Sequence, residues 1–72
     1  MDWHELNDLG DQLRDIGHRR RELAEKIVSE VEEGDQEESI HLYQELSSLS
    51  NSAIELMTKQ KRMIEQKIKR LQ

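Results

Sequence analysis

The chain contains no proline, so the one stretch that interrupts its helical pattern decides how it folds. That stretch is Glu32-Glu33-Gly34-Asp35-Gln36-Glu37-Glu38. Gly34 offers the left-handed conformation that commonly ends a helix at the C′ position, where a side chain would meet a steric cost. Asp35 then stands as an N-cap whose carboxylate accepts from free backbone N–H groups of the next helix, and Glu38, three residues on, imitates a capping box. A first helix over about 3–33 and a second over about 36–71 follow, with the turn at about 33–36 and all 72 residues forming one helical-hairpin domain. Glu37 and Glu38 suit the positive end of a helix dipole, whereas Glu30, Glu32 and Glu33 crowd the negative end of theirs.

The first helix opens at once, with Asp2 as a cap and Glu5 in the capping-box position. Its apolar residues Leu6, Leu9, Leu13, Ile16, Leu23 and Ile27 step by threes and fours, which marks one helix face. In heptad terms Leu6, Leu13, Arg20 and Ile27 take position a, and Leu9, Ile16, Leu23 and Glu30 take d. Trp3, Gly10, Gly17, Ala24 and Val31 recur at e, and the three in the middle are small. A glycine inside a helix costs about 1 kcal/mol against alanine, so two of them a heptad apart point to close approach of another helix.

The second helix has its own seam, with Leu42, Leu49, Leu56 and Met63 at d and Leu46, Ala53 and Gln60 at a. Tyr43, Met57, Ile64 and Leu71 fall at e, and Ile40, Ile54 and Ile68 widen the stripe to b. Continuing the first heptad through Gly34 misses this phase, which excludes one unbroken coiled coil. A stripe this wide exceeds what one partner helix covers, and pairing of two hairpins into a homodimeric four-helix bundle is the economical solution. The expected interior and dimer interface are therefore Leu6, Leu9, Leu13, Ile16, Leu23, Ile27, Leu42, Leu46, Leu49, Ala53, Leu56, Met57, Met63 and Ile64. Acidic residues early in the first helix and basic ones late in the second, from Lys59 to Arg70, favour the antiparallel hairpin.

A chain with 38% charged and 33% hydrophobic residues cannot build a large core alone, so help from a second chain is expected. No apolar run approaches the roughly 20 residues that cross a bilayer, and the N-terminus lacks the order of a signal peptide; the expectation is a cytoplasmic protein without a membrane partner. A net charge of −5 weighs against nucleic acid as the main partner. No cofactor is expected: cysteine is absent, and no glycine-rich phosphate loop or serine–histidine constellation is present. Asp15 with His18 and Glu38 with His41 have the spacing of two metal ligands on one helical face, yet the assigned phases point both histidines outward, so no metal site is expected.

Arg20 is the misfit of the first seam, since a charge at a core position must find hydrogen-bond partners or reach water. In a hairpin folded at Gly34 it faces Leu49, Ser50 and Asn51, which suggests a polar layer of Arg20 and Ser50, with Gln60 making a second. Two surface stretches are candidates for a partner: the basic cluster of Arg14, His18, Arg19 and Arg21, and the uncharged run that includes Ser47, Ser48 and Asn51. A solvated helix face is the ordinary explanation of either.

Arg20-Arg21-Glu22-Leu23-Ala24 resembles a fragment of the long first helix of helical chorismate mutases. The other positions that family needs hold Trp3, Gly10 and Val31 here, and no third helix follows. The hairpin length and serine-rich second helix are similar to the sporulation-phosphorelay aspartyl-phosphate phosphatases, but Leu46-Ser47-Ser48-Leu49-Ser50 has serine where that signature carries aspartate. Neither resemblance reaches family membership. The residues read best as a non-enzymatic interaction protein, a helical-hairpin homodimer that binds and masks a larger protein. The alternatives are a Rop-like RNA-binding four-helix bundle using Arg14, His18, Arg19, Arg21 and Lys26, and a helical subunit of a larger hetero-assembly.

Overall fold

A computed structural model of the chain describes residues 3–71. The expected cap Asp2 lies outside those residues. Two helices, α1 (Trp3–Glu33) and α2 (Gln36–Leu71), pack against each other as an antiparallel hairpin measuring 57 × 15 × 13 Å between Cα atoms.

The turn takes its form from Gly34, whose φ of 82° is the only positive value among the described residues. The Gly34 N–H donates to the Val31 carbonyl at 3.1 Å, and the Asp35 N–H reaches back to the Glu30 carbonyl at 2.9 Å. Those two bonds are a Schellman motif, and they satisfy carbonyls that the end of α1 would otherwise leave bare. Such motifs usually seat an apolar contact between the residues at Glu30 and Asp35; here both are acids. The Asp35 carboxylate caps α2 by accepting from the Glu38 N–H at 3.1 Å. Only this half of the capping box forms, because the Asp35 N–H is already engaged with Glu30.

The interior is one seam between the helices. Leu9 and Leu23 of α1 and Leu42 and Ala53 of α2 are buried, and Leu6, Leu13, Ile16, Ile27, Leu46, Leu49, Leu56 and Met63 are half-buried beside them. On α2 the seam runs further than its apolar residues do. Ser39 is buried and Lys67 half-buried, extending position a by one heptad at each end. Ser39 can be interior because its hydroxyl donates to the Asp35 carbonyl at 2.7 Å, so no polar atom is stranded.

Met57 and Ile64 stand outside this seam, at 49% and 42% exposure. Both occupy e, where the stripe turns away from α1. Arg20 is exposed although its heptad position is a, and its neighbour Arg19 is the half-buried one. Arginine's long stem explains the exchange: Arg20 swings its head off the seam, while Arg19 lies across its edge toward Glu45.

Candidate interaction surface

An antiparallel helix pair has two unlike sides, because each helix runs its heptad in the opposite sense to its neighbour. Positions just before a on one helix then meet their equivalents on the other, and positions e meet positions e. Here the first of these sides is charged. Arg19 bonds Glu45 through Nε at 2.9 Å and through a terminal nitrogen at 2.8 Å, and Lys59 lies 3.3 Å from Glu5. All four residues precede a position a. The attraction of Glu45, with Glu22 adding to it, raises the Arg19 pKa above its ordinary value. Being solvent-exposed, these pairs set the alignment of the helices more than they stabilise it.

The opposite side is apolar. Trp3, Val28 and Val31 of α1 and Ile40, Tyr43, Ile54, Met57, Ile64, Ile68 and Leu71 of α2 are all exposed. Every one of them sits at b or e. Near the turn, Val31, Ile40 and Tyr43 line one shallow hollow, and at the open end Trp3 and Leu71 line another. α2 supplies this side along its length, while α1 adds Trp3 at the open end and Val28 and Val31 near the turn, with Asn7, Gly10, Arg14, Gly17, Arg21 and Ala24 between them. On α2 the row 40, 43, 47, 50, 54, 57, 61, 64, 68, 71 repeats the three-four spacing of the buried seam, which makes it a second helix-packing row, broken only by Ser47, Ser50 and Lys61. Monomeric proteins seldom leave so many large apolar side chains exposed on one side.

Gly10 and Gly17 lie at e on the α1 part of this face. A β-carbon built on either would meet nothing within 4 Å. The hairpin itself thus has no use for glycine there, although each costs the helix about 1 kcal/mol relative to alanine.

Arg20 and Ser50, expected to form a polar layer in the seam, bond to each other beside it. The Arg20 Nε donates to the Ser50 hydroxyl at 3.0 Å, and that hydroxyl donates in turn to the Leu46 carbonyl at 2.8 Å. Because Ser50 is at e, this bond carries the arginine head onto the apolar side. Gln60 is half-buried in the seam and takes no part in the pair. At the open end the Lys67 ammonium rests 4.1 Å from the centre of the Trp3 ring, with its Nζ buried and without a hydrogen-bond partner. The ring face supplies the compensating attraction.

The two stretches named from the sequence as partner surfaces do not form one patch. Arg14 pairs with Asp11 at 3.2 Å and Arg21 with Glu25 at 3.3 Å, both on the apolar side, while Arg19 belongs to the charged side. His18 is exposed at f, on the outer edge. Ser47 is half-buried at the apolar side, whereas Ser48 and Asn51 are exposed on the back of α2. Among the described residues no group of three or more His, Cys, Asp or Glu side chains is placed to hold a metal ion, and no helix is long and apolar enough to cross a membrane. Val28 is the one member of the apolar side that the sequence pattern left unmarked; its b position on α1 was the available signal. No protein-family model, curated protein or solved structure matches the chain.

Proposed function

We propose that the chain is a non-enzymatic protein-interaction module that works in the cytoplasm as a homodimeric four-helix bundle and masks part of a larger protein. The observation that carries this reading is the open apolar side, which runs the length of the hairpin from Val31 and Tyr43 to Trp3 and Leu71. Covering such a surface is favourable in water, and a second hairpin covers it with the helix packing that the α2 row already encodes. In that arrangement the exposed backs of the helices, including Ser48 and Asn51 of α2, remain for the larger partner. The Rop-like RNA reading is the weaker one, because Arg14, Arg19 and Arg21 each have an acidic neighbour and Arg19 lies on the opposite side from Arg14 and Arg21.

Light scattering with circular dichroism across concentration tests the dimer. The wild type is expected to be helical with twice the 8.6 kDa chain mass, and Ile54→Glu with Ile64→Glu to shift it toward one chain. A wild type that stays at one chain mass and is weakly helical would reject the homodimer in favour of a subunit that folds on a foreign partner. Masking is tested by whether a binding protein, once identified, is lost on substitution of Ser48 and Asn51 by lysine while the dimer persists.

A further inference from the structure

The homodimer reading leaves the orientation of the two copies open, and the relief of the apolar side decides it. Paired residues across the hairpin give the relative heights of the two helices: Glu5 is near Lys59, Arg19 near Glu45, Arg20 near Ser50 and Trp3 near Lys67. By these marks Gly10 stands level with Met57, Gly17 with Ser50 and Ala24 with Tyr43. Within one hairpin, then, Gly10 and Ala24 of α1 are low where Met57 and Tyr43 of α2 are high, while Gly17 and Ser50 are both small and Trp3 stands level with Ile64.

We propose that the apolar side is covered by a second copy related by a two-fold axis running along the hairpin, so that α1 of each copy lies on α2 of the other and both turns share one end. Rotation about that axis keeps every residue at its height and exchanges the helices. Met57 of the second copy then meets Gly10, Tyr43 meets Ala24, and Ser50 meets Gly17. The open space over Gly10 is filled by a large side chain, which gives that glycine a reason, and Gly17 takes the smaller Ser50. The face offered, 57 by 15 Å between Cα atoms, is on the order of 850 Å² in projection, close to the roughly 800 Å² per partner of an ordinary stable interface.

An axis across the hairpin does worse. It would stack α1 on α1, setting Gly17 against Gly17 and Arg14 against Arg21, and α2 on α2, with Tyr43 against Met57. Small residues would oppose small ones and large ones large through most of the interface, with Arg14 facing Arg21. The shared-end arrangement confines such a spot to the height of Gly17 and Ser50, where the Arg20 heads of both copies lie on the covered side. The shared-end arrangement brings together two turns that each carry Glu30, Glu32, Glu33, Asp35, Glu37 and Glu38, and at the other end it lays the acidic start of α1 over the basic end of α2 of the second copy. Salt screens both the repulsion between the tips and the attraction at the open end.

The chain has no cysteine, so Glu33→Cys gives a single site for a spin label at the turn. Pulsed dipolar spectroscopy on the full-length dimer is expected to read a distance of about 15–30 Å, as for neighbouring helices carrying flexible labels. A distance near the 57 Å hairpin length would overturn the shared-end arrangement while leaving the homodimer intact. Absence of a dipolar signal, with one chain mass by light scattering, would overturn the homodimer as well. Gly10→Leu provides an independent check. It is expected to weaken dimerisation at least tenfold with helix content unchanged, and adding Met57→Ala should restore most of the loss. Failure of that rescue would reject the seating of Met57 on Gly10.

Discussion

The Arg20 guanidinium reaches across the hairpin to the Ser50 hydroxyl at 3.0 Å, and the same hydroxyl donates to the Leu46 carbonyl of its own helix. Ser50 therefore keeps a partner when Arg20 is removed, and Arg20 itself is exposed. In the single hairpin the pair should couple weakly, by at most about 1 kcal/mol in a double-mutant cycle of Arg20→Leu and Ser50→Ala followed by chemical denaturation at concentrations where copies do not pair. Arg20→Leu alone is expected to leave stability unchanged or raise it by up to about 1 kcal/mol, since a leucine at position a adds apolar contact to the seam. A coupling of 2 kcal/mol or more would mean that the bond is shielded from water in the assembled protein.

The turn should respond differently to its two specialised residues. Gly34→Ala meets open space around the added carbon but keeps a φ of 82°, so its cost is the backbone strain alone, about 1–2 kcal/mol. Asp35→Ala removes the acceptor of the Glu38 N–H and should cost about 1 kcal/mol. Urea midpoints measure both. If Gly34→Ala were neutral, the Schellman geometry would not be what ends α1.

Such a turn was readable because glycine and aspartate each impose a local geometry whatever the rest of the chain does. The seam was readable where it is apolar and unreadable where it is not. Ser39 and Lys67 occupy it for reasons outside hydropathy, a hydroxyl that bonds its own helix and an ammonium that finds an aromatic ring. The exchange of Arg19 for Arg20 at the seam depends on where Glu45 lands, which requires the relative height of the helices. The apolar side was half legible: its α2 row stands out in the heptads, but its union with Trp3, Val28 and Val31 into one face follows only from the antiparallel pairing.

Glu30 gives the turn a pH dependence. Its burial at the end of the seam, together with the charges of Glu33, Asp35 and Glu38, raises its pKa above the ordinary carboxylate range, with Lys26 opposing. A raised pKa means the folded state holds this proton more tightly than the unfolded chain. The stabilisation is thus fully present below the unfolded pKa and disappears as pH rises through the folded one. Glu30→Gln should accordingly melt higher than the wild type at neutral pH, and the difference should close as the pH falls through the carboxylate range. Thermal melts at several pH values would contradict this if the two proteins differed equally throughout.

At the open end, Lys67 and Trp3 hold the termini of the two helices together by a contact that has no hydrogen bond in it. The ammonium lies 4.1 Å from the ring centre with its Nζ buried and unpartnered, so the ring quadrupole is its compensation. Removing the ring should therefore hurt more than removing the charge. Lys67→Met keeps a long flexible stem and lets sulfur contact the ring, so its effect should stay within about 0.5 kcal/mol of the wild type. Trp3→Ala leaves a buried cation without its partner and should cost about 1–2 kcal/mol, frayed into the open end of the hairpin. Trp3 is the single tryptophan of the chain, which makes its emission a direct reporter. Lys67→Met should change that emission without loss of helix signal, and an unchanged spectrum would show that the ammonium does not rest on the ring in solution.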